Sequence, residues 1–173
     1  MKRKTIFLLL AVALLSSAAL ASGVFQNAHG TISISDSGIV SRGSQLVVCN
    51  KLMARRGGAL GSVSFVAGPL LTGSLQAGGT FSADGSSFAI VGQCKKDEPR
   101  GVVFIGTFEG PITWTLVSQA GEKLTFNLTG FIKGTNRKGN KVNGTTTQMI
   151  VTTRDQLDQK VGHIDAGFVM FGT

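Results

Sequence analysis

Ile112-Thr113-Trp114-Thr115-Leu116 places an apolar side chain at every second position with threonines between. A period of two marks a β-strand with one face on a core and the other toward solvent. Leu124-Thr125-Phe126-Asn127-Leu128-Thr129 repeats the pattern a few residues on. Upstream, Val102-Val103-Phe104-Ile105-Gly106-Thr107-Phe108-Glu109 starts apolar on both faces, which predicts a central strand. Gly106 within it marks a bulge or a close approach of two backbones.

Outward from this block, similar windows predict strands at 31–35, 45–51, 61–66, 70–76, 79–83, 87–91, 142–153 and 166–171. Asp36-Ser37-Gly38, Ala83-Asp84-Gly85, Ala120-Gly121-Glu122 and Arg137-Lys138-Gly139-Asn140 supply turns between them. Short connections pair neighbouring strands antiparallel. The fold class is therefore all-β, an antiparallel barrel or sandwich of about ten to twelve short strands. The segment 102–153 reads as a four-strand up-and-down meander, which favours the barrel. Recurrent Gly-Thr and Thr-Gly pairs have uneven spacing, which argues against a solenoid or propeller. At most a short helix is expected near 153–161, a polar stretch with Leu157 as its one interior apolar residue.

The chain opens Met1-Lys2-Arg3-Lys4, continues with an apolar run over 6–15 and reaches Ala19-Leu20-Ala21. A basic start, a short apolar centre and an A-x-A site make a secretory signal peptide. The apolar run is about half of the roughly 20 residues that a membrane-crossing helix needs. The expectation is a removed segment 1–21, a single all-β domain at 22–173, and export to a periplasmic or extracellular location. With no Tyr, a single Trp and no terminal aromatic, the chain lacks the aromatic girdles of an outer-membrane barrel.

Residues 22–173 carry 14 basic and 9 acidic side chains, a net charge of +5. That excess favours anionic partners. Cys49 and Cys94 are an even pair in a chain read as exported, so a disulfide is expected; two buried thiols are the alternative.

Catalytic chemistry is thinly represented. There are two histidines, His29 and His163. His163 and Asp165 share a strand face, and such a pair can orient a general base or bind metal. A solvated or structural role is the simpler reading. No nucleophile elbow, S-x-x-K or H-E-x-x-H motif is present. Asp155 and Asp158 lack the ligand loop of an EF-hand. No cofactor, no metal and no catalytic residue beyond the pair His163 and Asp165 is indicated.

Binding has more support. Basic residues cluster in three predicted loops: Lys51, Arg55 and Arg56; Lys95, Lys96 and Arg100; Arg137, Lys138 and Lys141. Gathered at one end of a barrel, they would form a positive rim for an anionic ligand. Scattered, they are ordinary solvated hairpins. The clusters contain no aromatics of the kind that stack on nucleic-acid bases. Trp114 and the eleven Phe residues read as core, and a carbohydrate platform is disfavoured. The candidate partners are an anionic polymer or a small apolar ligand held in a Phe-lined barrel. A cell-envelope hydrolase or isomerase using His163 and Asp165 is the catalytic alternative.

The block Gly79-Thr80-Phe81-Ser82-Ala83-Asp84-Gly85-Ser86-Ser87-Phe88, with Gly106-Thr107-Phe108-Glu109-Gly110-Pro111-Ile112-Thr113-Trp114-Thr115-Leu116, resembles segments of uncharacterised exported β-rich bacterial proteins. The likeness lies in strand-and-turn patterns and implies no activity. The hydrophobic sorting segment that ends some such chains is not seen here.

Overall fold

The computed structural model describes residues 21–56 and 58–172; of the expected signal segment 1–21, residues 1–20 lie outside them and Ala21 is the first residue of the opening strand. The described chain is almost entirely β. Its strands are β1 (Ala21–Ala28), β2 (Gly30–Ser35), β3 (Gly38–Cys49), β4 (Leu52–Met53), β5 (Gly61–Ala67), β6 (Leu70–Ser74), β7 (Gly78–Phe81), β8 (Ser87–Gly92), β9 (Gly101–Ala120), β10 (Lys123–Asn136), β11 (Lys141–Thr153) and β12 (Val161–Gly172). The helix α1 (Arg154–Asp158) joins the last two strands.

Eight strands close an antiparallel barrel in the order β10-β11-β12-β1-β3-β5-β8-β9, with β9 returning to β10. Every described pairing is antiparallel, and β6 and β7 form a hairpin that extends β9 beyond the reach of β8. β1 and β2 occupy one strand position between β12 and β3. They are divided at His29, whose φ of 56° lies in the left-handed region. Such a residue breaks the pleat and re-aims the strand.

Alternation decides what lies inside. Leu124, Phe126 and Leu128 of β10 are buried, while Thr125, Asn127 and Thr129 face outward. Ile112 and Trp114 of β9 are buried in the same way. Phe25, Phe65, Phe81, Phe88, Phe104, Phe108, Phe126 and Phe171 are all buried. They touch in edge-on and stacked pairs such as Phe88–Phe108 at 5.6 Å and Trp114–Phe126 at 4.2 Å. Each such burial contributes about 1.5–3 kcal/mol. The interior is thus a packed core and not a lumen.

Several sequence expectations change in detail. The segments 102–109 and 112–116 are one 20-residue strand, so 102–153 holds three strands and not four. Gly110-Pro111 falls between those two windows; here Gly110 has φ 72° and the pair forms a bulge where β9 shifts register against β10. Strands are also longer than expected, up to 20 residues in β9, and β1 and the first half of β3 were not foreseen. Gly106 sits opposite Gly134, where a Cβ would strike the backbone of Lys133, so the close approach is real. The helix near 153–161 shortens to five residues, started by a capping box between Thr153 and Gln156.

Candidate anionic-ligand surface

Strand direction places the three basic loops together. The closing pairs Phe25↔Cys49, Leu46↔Gly61, Gly61↔Gly92, Gly92↔Gly101, Phe104↔Asn136, Thr135↔Lys141 and Asn143↔Gly172 all lie at one end of the barrel. The loops after β3, β8 and β10 therefore emerge from that end. Lys51, Arg55 and Arg56 belong to the first, Lys95, Lys96 and Arg100 to the second, Arg137 and Lys138 to the third, and Lys141 opens β11 beside it. Of these nine, all but Arg137 are exposed.

The charge is polarised along the barrel. This end carries nine basic side chains against two acids, Asp97 and Glu98. The other five basic and seven acidic residues of 22–173 are spread over the rest of the molecule. The whole net positive charge of this part of the chain is thus concentrated on one end, and the remainder is slightly acidic. A strongly basic surface of this kind attracts counter-charged ligands over about a Debye length.

Two links tie the loops together. Cys49 and Cys94 form a disulfide with Cα atoms 5.3 Å apart, which joins the end of β3 to the loop after β8 across the start of β5. Arg137 then ties the third loop to the second. Its guanidinium donates to the carbonyls of Val102 at 3.3 Å, Pro99 at 2.9 Å and Gly92 at 3.0 Å, and pairs with Glu98 at 2.9 Å. By sequence Arg137 belongs with the ligand-facing cations; in the structure its donors are spent on holding the loops. The exposed cations around it form no salt bridge among the described residues.

A small apolar recess of about 130 Å³ opens among these loops. Phe25, Phe104 and Phe171 form its floor, Val103 and Val142 its walls, and Asn50 and Asn136 its polar edge. Sequence alone does not bring these residues together, because the recess draws on β1, β9, β10, β11, β12 and the turn after β3.

His163 and Asp165 lie on the outer surface of β12, both exposed. With His29 and Lys123 they line an open groove of about 470 Å³ outside the barrel. The two histidines are thus on one groove, which sequence could not indicate. No hydrogen bond joins His163, Asp165 and His29 among the described residues, and no group of three or more His, Cys, Asp or Glu there could hold a metal ion.

Fold and surface together define a closed eight-stranded antiparallel β-barrel with one disulfide-tied, strongly basic end. No protein-family model, curated protein or solved structure matches the chain. Among the described residues, no helix is long and apolar enough to cross a membrane.

Proposed function

We propose that this protein is a non-catalytic, exported binding module whose basic end engages an anionic polymer. The observation that carries this reading is the gathering of three basic loops, distant in sequence, at one end of the barrel, with seven of the nine acids of 22–173 elsewhere. The Cys49–Cys94 bridge is compatible with an oxidising compartment outside the cytoplasm. The exposed placement of His163 and Asp165, with no hydrogen bond between them among the described residues, supports binding over hydrolysis or isomerisation.

The test compares two variants of equal charge change. One replaces Lys95, Lys96, Lys138 and Lys141 with Gln; the other replaces Arg42, Lys123, Arg154 and Lys160, which lie away from the rim. Binding to heparin is followed against salt. The wild-type protein should weaken by on the order of tenfold or more between about 50 and about 200 mM salt. The rim variant should lose most of its affinity and the other should keep it. Equal losses would reduce the effect to net charge and overturn the proposal.

A further inference from the structure

The recess within the basic rim has no role in holding a bare polyanion. Its floor is three aromatic rings, among which Phe104 and Phe171 lie 4.8 Å apart and Phe25 and Phe171 5.4 Å apart. Two of its lining residues adjoin rim cations in sequence: Asn50 precedes Lys51, and Val142 follows Lys141. An apolar hollow at the barrel end that carries the excess of positive charge is complementary to a molecule that is apolar at one end and anionic at the other.

Its size selects further. The recess is about 130 Å³. A dry cavity of roughly 150 Å³ lined by aliphatic and aromatic side chains accommodates benzene. A long acyl chain does not fit, because the barrel behind the recess is filled by Phe65, Phe88 and Phe108.

We infer that the ligand of the basic end is an amphiphilic anion, whose apolar group, the size of one aromatic ring, enters the recess while the rim holds its phosphate, sulfate or carboxylate. This rests on the rim reading for the charged half of the ligand and adds the apolar half. Asn50 and Asn136 supply hydrogen-bonding groups at the boundary between the two halves.

Phenyl phosphate, inorganic phosphate and phenol are suitable probes, titrated into the intact protein by NMR. Phenyl phosphate should bind on the order of tenfold more tightly than either inorganic phosphate or phenol, since ring burial and charge then act together. Its ring protons should show contacts to the Val103 and Val142 methyl groups. Val142→Phe, which fills the recess, should remove the advantage of the ring and leave heparin binding in place. The ring contacts in the wild-type protein decide the matter independently of how well that variant folds. Phenyl phosphate binding no tighter than phosphate, or no contacts to the recess, overturns the inference even if heparin binds as proposed. Loss of heparin binding specificity instead strikes the rim reading itself.

Discussion

Asn27 and Gln148, 121 residues apart, clasp each other inside the barrel: Asn27 Nδ2 donates to Gln148 Oε1 at 2.8 Å, and Gln148 Nε2 donates to Asn27 Oδ1 at 3.3 Å. Both residues are at most 1% exposed. Asn27 also donates to Ser44, and Gln148 to Thr146, whose hydroxyl passes the chain on to the Phe168 carbonyl. Between the two amides runs β12, and Gly167 is the register partner of both. A Cβ at Gly167 would strike the amide groups of Asn27 and Gln148. The glycine is what lets two polar side chains meet across an intervening strand. A satisfied polar row of this sort fixes register, because a slip by one residue would orphan every member.

Gly167→Ala should therefore destabilise the barrel by about 2–4 kcal/mol, through overpacking and loss of buried amide hydrogen bonds. Urea unfolding measures it. Gly172→Ala on the same strand, where an added Cβ meets nothing within 4 Å, is the control. It should change stability by less than about 0.5 kcal/mol.

Arg137 acts as a clamp, which separates its effect from that of its neighbours. Arg137→Lys keeps the charge but cannot reproduce a fork that reaches three carbonyls and Glu98. The guanidinium is partly exposed, so the expected cost is about 1–2 kcal/mol. The loss should be local, seen as faster amide exchange over residues 98–101. Lys138→Gln, one residue on and exposed, should leave exchange unchanged. If both variants behave alike, the clamp is not what orders the loop.

Cys49 and Cys94 lie 45 residues apart in sequence, and their bridge closes a loop that includes β5 and β8. Chain entropy over a loop of that length gives about 4 kcal/mol of stabilisation. Replacing both with Ala should lower stability by about that amount. It should also raise the urea m-value, because the denatured chain expands once the cross-link is gone. An unchanged m-value would place the effect in the folded state instead.

The strands were legible because their outward faces are rich in Thr and their inward faces in Phe, Ile and Leu. The ends were not. The two alternating windows of β9 fall on either side of Gly110-Pro111, through which the strand passes as a bulge. β1 was hidden beside the expected export segment. With strands split or missed, the up-down parity that sends the loops after β3, β8 and β10 to the same end could not be counted. The three clusters were therefore visible, but their meeting was not. The Asn27–Gln148 row was illegible for another reason: Thr146, Gln148 and Thr152 are polar residues at inward positions of β11, where the pattern predicts apolar ones. The capping box Thr153-Arg154-Asp155-Gln156 was present in the sequence and locates the helix start to the residue.

The far end of the barrel depends on one indole. Trp114 is 1% exposed, stacks on Phe126 and donates from Nε1 to the Leu75 carbonyl at 2.9 Å. Leu75 lies in the turn between β6 and β7, a hairpin whose strand pairing to the barrel runs from β7 to β9, with one further bond from the Leu70 N–H to the Asp36 carbonyl. Trp114→Phe keeps an aromatic ring against Phe126 but leaves the Leu75 carbonyl without its donor. The expected cost is about 1–3 kcal/mol for a buried acceptor left unpaired. Amide exchange should accelerate over residues 70–81 first. Because this hairpin and the basic rim are at opposite ends of β9, heparin affinity should stay within about twofold of wild type, a change of less than about 0.5 kcal/mol. A variant that loosened the hairpin and also abolished binding would show that the two ends are coupled through the core.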